Sequence, residues 1–394
     1  MPPYSPFAPL WSLDPTVTYL NHGSFGACPL AVQTVQQQFR SQLERQPVRF
    51  MSYELEPLLD QARHALANFV GADVGNLVFV PNATTGVNTV LRSLTFQPGD
   101  ELLTIDHAYN ACRNALDFVA ARSGLQVVVA PVPFPIADSE QVLEAVLDRV
   151  SAKTRLAMLD HVTSQSGLIL PIQQLVQELN QRGVDTLVDG AHAPGMVPLE
   201  LERLGAAYYT GNCHKWLCAP KGAAFLYVRP DRQAPIRPLT ISHGANSPRT
   251  DRSRFHLEFD WTGTNDPTAY LSVPAALEFM QDLLPGGWTE VIERNHQLVL
   301  QGRKLIGEAL DVPLPCPDSM ISSLATIPLP APVNPSLQTD LFDKFRIEVP
   351  IFPWTDPPRS QSVSSGESLL RLSAQLYNTP EQYTALSHAL TYLI

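Results

Sequence analysis

The chain has 394 residues, 44% of them apolar and 16% charged, with 36 prolines, five cysteines and a formal net charge of −11. That length accommodates two or three ordinary domains, or one large domain and a smaller one, around a substantial core. The acidic balance excludes a phosphate-backbone binder, which needs a basic face, and no apolar run reaches the ~18 residues of a bilayer span.

The opening stretch MPPYSPFAPLWSLDP lacks a basic segment followed by an apolar one, so a secretory signal is not expected there. Cys28, Cys112, Cys213, Cys218 and Cys316 are sparse, odd in number and irregularly spaced. This pattern points to free thiols in a reducing cytoplasm. After an N-terminal arm (residues 1–15), a mostly helical stretch runs from about Leu30 to Val70. Pro57 is expected to open its last helix, where proline is tolerated, with apolar residues at helical spacing from Leu58 to Phe69.

An alternating pattern follows. NLVFVP (76–81), ELLTID (101–106), QVVVAPV (126–132), RLAMLDHV (155–162) and DTLVDGA (185–191) read as strands separated by helical patterns, among them 83–94 and Tyr109 to Arg122. Continuous apolar strands between amphipathic helices imply a mainly parallel sheet covered on both faces. AAFLYV (223–228) follows a short loop, which opens an antiparallel course for it. Past the turn Pro285–Gly286–Gly287 the text becomes a smaller α+β unit. Its helices fall at Thr289 to Leu310, Leu337 to Phe345 and from Pro380, and its strands at 322–329, 347–353 and 371–377. The expected division is 16–285 for the large domain and 286–394 for the small one.

Ligands of open α/β sheets sit beyond the carboxyl ends of the strands, and three features cluster there. NATTG (82–86) is a strand-to-helix turn in which Ala83, Thr84, Thr85 and Gly86 expose N–H groups and hydroxyls suited to a phosphate, or simply cap the helix. Asp189 ends a buried strand, where a carboxylate needs a cation, a donor or a helix to cap. Lys215 lies between His214 and Trp216 in a segment poor in other charges, where restricted solvation lowers the proton affinity of an amine. A lysine snorkelling over apolar neighbours is the ordinary alternative. The other lysines stand in a polar turn (Lys153), in helices of the small unit (Lys304, Lys344) or beyond the strand-end loop (Lys221). The C-x4-C spacing of Cys213 and Cys218 is not that of a zinc knuckle, and no metal is expected. In this order the three features match what holds pyridoxal phosphate: a phosphate cradle, a carboxylate for the ring nitrogen, and a lysine 26 residues later for the imine.

The chain resembles the pyridoxal-phosphate enzymes of aminotransferase class V, and within them the isopenicillin N epimerase group. YLNHGSFGACP (19–29), QPVRFM (46–51), LVFVPNATTGVNTVL (77–91), DHAYNACRNAL (106–116), DGAHAPG (189–195), GNCHKWL (211–217), WTGTNDPTAYL (261–271) and RLSAQLYNT (371–379) carry the resemblance over nearly the whole chain. It implies fold type I, a large domain with a mainly parallel, seven-stranded type of sheet between helices, and a smaller C-terminal α+β domain.

The resemblance also implies roles. Lys215 is the Schiff-base lysine, Asp189 the partner of the pyridine nitrogen and His192 that of the phenolic oxygen. Ala83, Thr84, Thr85, His214 and Asn212 hold the phosphate, and His107 stacks on the pyridine, with Tyr109 competing for that place or facing the substrate. Gly263 and Thr264 complete the phosphate site from the second subunit of a homodimer with shared active sites. Arg371 grips the substrate carboxylate as a bidentate pair, and Asn21 and His22 line the substrate pocket. Two departures stand out. Desulfurases of the class carry a cysteine on the loop before this arginine, and 353–368 has none; and Ser164 stands where many members have asparagine.

The implied reaction begins with loss of the Cα proton of an amino acid to the freed lysine amine. Epimerisation is the reading nearest the resemblance. C–S β-lysis of cysteine or cystine is the alternative, followed by transamination and by a non-catalytic cofactor-binding scaffold. Tyr109, His22 or a water is the second acid–base group. Arg45 and Arg49 are candidates for a distal substrate chain, or solvated arginines.

Overall fold

The run LVFV (77–80) has all four side chains buried, as does AFLYV (224–228), because the sheet they belong to is covered on both faces. The computed structural model describes residues 5–354 and 368–394. Its main sheet has seven strands in the order Leu77–Val80, Ala224–Val228, Tyr208–Asn212, Asp185–Asp189, Thr154–Asp160, Glu101–Ile105 and Gln126–Ala130. Ala224–Val228 is antiparallel to both its neighbours, and the other pairings are parallel. Six carboxyl ends therefore share one edge.

The seventh strand, Tyr208–Asn212, escaped the apolar pattern. Its sequence YYTGN has no aliphatic residue, yet every position is buried, because strands pair along both its sides. It is also the strand that delivers Lys215.

The helical N-terminal stretch is divided. Helix Leu30–Arg45 is followed by a short turn at Pro47–Arg49, a wide π-helical turn at Phe50–Glu54 and helix Leu55–Val70. The last helix thus opens two residues before Pro57, not at it. Proline is still accommodated, since N–H groups of the first turn have no intrahelical acceptor.

The C-terminal part holds a three-stranded antiparallel sheet, Ile351–Pro353, Ser368–Ser373 and Leu324–Leu329. The strand expected at 371–377 ends at Ser373. There Asn378 Oδ1 accepts the Gln375 N–H (3.0 Å) and the Gln375 carbonyl accepts the Asn378 N–H (2.7 Å), turning the chain. Thr18–Tyr19 pairs in parallel with Ile347–Glu348, which carries the segment from Asn21 to Ser24 across to Arg371. Among the described residues no helix is long and apolar enough to cross a membrane.

Helix Ala83–Ser93 lies close on Tyr208–Asn212. A Cβ on Gly86 would stand 2.2 Å from Thr210 Oγ1. Gly86→Ala is therefore expected to lower unfolding free energy by about 1–3 kcal/mol, read from urea melts.

Candidate active site

Asp160 and Asp189 are register partners at the ends of neighbouring strands, and both are buried. Two carboxylates so placed do not both hold charge. Burial first, and the Asp189 charge second, push the Asp160 carboxyl well above the usual range, while the Tyr109 backbone N–H opposes the shift. Asp160 is thus the protonated member. Asp189 accepts the Ala191 N–H at Oδ1 (3.0 Å) and the Cys112 thiol at Oδ2 (3.0 Å). Burial, then the Asp189 charge, raise the Cys112 thiol far above its ordinary value, so it remains a donor.

Tyr208–Asn212 runs directly into His214 and Lys215. The Lys215 carbonyl accepts the Cys218 N–H (3.0 Å) and lies 3.1 Å from His22 Nε2. A carbonyl only accepts, so His22 donates from Nε2, and its Nδ1 accepts the Tyr377 hydroxyl at 2.7 Å. Cys218 closes this turn with a φ of +60°, a left-handed conformation that costs energy in a residue with a Cβ. The backbone of the lysine is thereby held from both sides.

The Lys215 side chain is half-buried, and its Nζ lies 2.9 Å from His192 Nε2. Desolvation, then the Arg371 charge, bring the amine down to about 7, against the opposing pull of Asp189, Cys112 and Asp160. Near neutrality much of Lys215 is therefore a free amine, able to attack a carbonyl or accept a proton.

His107 follows strand Glu101–Ile105 and is buried. Its Nε2 donates to the Val132 carbonyl (3.1 Å), and its Nδ1 accepts the Ser166 hydroxyl (2.7 Å). Burial lowers it to about 4, so the ring is neutral. Tyr109 caps helix Asn110–Ser123 with its side chain 43% exposed, within the fields of Asp189 and Arg371.

At the N-terminus of helix Ala83–Ser93, Asn82 Oδ1 accepts both the N–H (2.8 Å) and the hydroxyl (3.0 Å) of Thr85, and Asn212 Oδ1 accepts the Ala83 N–H (2.9 Å). Three candidate ligands, Ala83, Thr85 and Asn212, thus already serve the helix end, and the N–H and hydroxyl of Thr84 and the Nδ2 of Asn212 are the donors these bonds leave over. His214 Nδ1 donates to the Ala223 carbonyl at 2.9 Å, leaving Nε2 for another partner. Burial holds His214 at about 4. Gly263 has a φ of +114° and open space where a Cβ would stand, and Thr264 is exposed.

Arg371 is 2% exposed, and its Nε is buried with no hydrogen-bond partner among the described residues. Its Nη1 donates to the Ser164 carbonyl (2.6 Å) and approaches Ser164 Oγ (3.3 Å), while Nη2 donates to Ser24 Oγ (2.7 Å). Ser24 in turn donates to Asn21 Oδ1 (2.5 Å), and Asn21 Nδ2 reaches Glu348 (3.4 Å). No ion pair to a carboxylate holds this guanidinium among the described residues. Burial lowers it to about 10, so it remains charged and suited to a ligand carboxylate. Arg371→Lys, which discards the planar fork, is expected to raise KM about 10- to 100-fold with little change in kcat, measured by steady-state kinetics.

The structure thus brings Lys215, His192, Asp189 and Arg371 within reach of one another's charges. Arg49 pairs with Glu54 on the surface (2.7 Å) and Arg45 is exposed. Most of the loop without cysteine, 355–367, lies outside the described residues. Ser24, Cys112, Asp160 and Trp216 were not singled out from the sequence. Three of them stand inside the motifs quoted above, but their residue types alone gave no signal.

Comparison with known proteins places this geometry. A family model described as Aminotransferase class-V matches residues 21–386. The chain is 36% identical to isopenicillin N epimerase of Amycolatopsis lactamdurans, over 96% of each chain. It is 32% identical to a probable chloroplastic L-cysteine desulfhydrase of Arabidopsis thaliana, over 97% of this chain and 84% of that one. Among solved structures, a mutant of C-DES with glycine covalently linked to the PLP cofactor superposes with a TM-score of 0.80 at 24% identity, over 96% of this chain and 97% of the other. An apo cysteine desulfurase from Thermococcus onnurineus does so with a TM-score of 0.80 at 20% identity, over 96% and 94%. A match across this much of the chain, on a sheet that gathers these side chains at one edge, has one meaning: the chain belongs to the Aminotransferase class-V family.

Proposed function

We propose that the chain is a pyridoxal 5'-phosphate enzyme that removes the Cα proton of an amino acid and returns one there, an amino-acid epimerase. The observation that carries the reading is a half-buried amine brought to about 7 within the field of a buried arginine that pairs with no carboxylate among the described residues. The residues fit the cofactor. Thr84 offers donors at a helix N-terminus, His214 Nε2 is open to a partner, Asp189 is a doubly hydrogen-bonded carboxylate, and His192 stands beside the lysine.

The chemistry supplied by bound pyridoxal 5'-phosphate is an electron sink for the pair left at Cα. Thr84, Asn212 Nδ2 and His214 would hold the phosphate, with Ala83 and Thr85 forming the helix end around it and the Gly263–Thr264 loop reaching in from the second subunit of a homodimer. His214, with Nδ1 committed to Ala223, would take a proton on Nε2 and donate it to a bound phosphate, whose charge would raise the proton affinity of the ring. Asp189 would keep a proton on the ring nitrogen, His192 would bond the phenolic oxygen, and His107 would lie against the ring. Lys215 anchors the group and, once released, takes the Cα proton. Arg371 binds the substrate carboxylate, with Asn21 bracing it through Ser24. His22 underpins the Lys215 backbone with both nitrogens engaged, which leaves Tyr109 as the side chain to return a proton on the other face. A cytoplasmic site of action accords with five unpaired cysteines.

The near-full-length desulfhydrase relatives favour a second reading, β-elimination from cysteine or cystine. Incubation of the holoenzyme with amino acids in D2O separates the two. Deuterium at Cα with loss of optical activity and no pyruvate supports epimerisation. Pyruvate and sulfide formed together assign the lyase. Neither exchange nor pyruvate from any amino acid would overturn both.

A further inference from the structure

Lys215 Nζ and Trp216 Nε1 approach opposite nitrogens of one imidazole. Nζ lies 2.9 Å from His192 Nε2, and Trp216 Nε1 lies 3.3 Å from His192 Nδ1. An indole nitrogen can only donate, so Nδ1 is the acceptor, and the single proton of the neutral ring resides on Nε2. We propose that Trp216 is a positioning residue that locks the tautomer of His192, making Nε2 an obligate donor toward the Lys215 nitrogen and whatever is bound there.

The alternative tautomer would set two N–H groups against each other at the indole. A doubly protonated ring would do the same beside a basic lysine, and burial further disfavours that charge. The indole has little room to turn away. It is 1% exposed and packs against His22 with ring centroids 4.9 Å apart. The backbone that carries it is held as well: Gly195, at a φ of +83°, lies so close that a Cβ there would stand 2.7 Å from the Trp216 carbonyl oxygen. Adjacent residues 215 and 216 thus address the two nitrogens of one side chain.

The inference rests on the reading above, in which His192 donates to the phenolic oxygen of the cofactor. A donor that cannot reverse stabilises negative charge on that oxygen and so lowers the proton affinity of the lysine nitrogen joined to the cofactor. In holoenzyme, Trp216→Phe is expected to raise the pH midpoint of the visible band by about one unit, the size of one hydrogen bond to a charged group. In a His192→Gln background the same substitution is expected to move nothing, because a carboxamide NH2 donates whatever its neighbour does. Nitrogen-15 NMR of histidine-labelled wild-type holoenzyme, assigned through His192→Gln, is expected to show Nε2 protonated and Nδ1 bare.

An unmoved midpoint in Trp216→Phe, an equal shift in both backgrounds, or a proton on Nδ1 of His192 overturns the proposal. The NMR measurement decides even if Trp216→Phe fails to fold. Absence of any visible band in wild-type holoenzyme, or its survival unchanged in Lys215→Ala, instead overturns the underlying cofactor reading.

Discussion

Replacement of Lys215 by alanine is expected to lower turnover by about 10³-fold or more, since in the proposed function it removes both the covalent anchor and the base. No other amine stands ready to substitute. Lys221 Nζ donates to the Gly26 carbonyl at 2.8 Å. Lys304 and Lys344 lie on the surface beside Glu308 and Asp340, and Lys153 is exposed. The same amine sets a pH signature. With Lys215 held at about 7, cofactor uptake by apoprotein should rise about tenfold per pH unit below that value and level off above it. An unperturbed lysine would keep rising toward pH 10. Stopped-flow absorbance across the pH range reads the difference, and circular dichroism checks that the variant is folded.

Asp189→Asn is expected to cost about 10²–10³ in kcat, the usual consequence of deleting a charge aimed at developing opposite charge. Asp189 already accepts from Ala191 and Cys112, so an asparagine would still be held by its neighbours. What it lacks is the negative charge that, in the proposed function, keeps a proton on the ring nitrogen. Asp160 is the built-in control. Burial and the Asp189 charge keep it protonated, and asparagine has nearly the shape of that neutral acid. Asp160→Asn should therefore stay within a few-fold of wild type. Equal losses in the two variants, measured as steady-state kcat, would contradict the division of charge between these strand ends.

The strands built from Val, Leu and Ile were legible because burial on both faces leaves an unbroken apolar run, as in LVFV at 77–80. Tyr208–Asn212 was not, since tyrosine, threonine, glycine and asparagine carry no such pattern and its strand character comes from neighbours paired on both sides. Lys215 could be reached by eliminating four other lysines. Its surroundings could not. Ser24 and Ser164 meet Arg371 across 347 and 207 residues of sequence, and no local spacing encodes such approaches. Cys112 reads as one more buried residue on an amphipathic helix until the fold sets it against Asp189. Trp216 reads as core until its indole nitrogen is seen facing His192. Residue types that carry chemistry were visible in the text, whereas the hydrogen bonds that fix their protonation belong to the tertiary structure.

In the proposed function Lys215 carries the cofactor covalently. Reduction of the purified holoenzyme with sodium borohydride, followed by proteolysis and peptide mass mapping, tests it directly. A phosphopyridoxyl group is expected on the peptide containing Lys215, and none in Lys215→Ala. A label on Lys221 or another lysine, or no label on a protein that has taken up the cofactor, would contradict it.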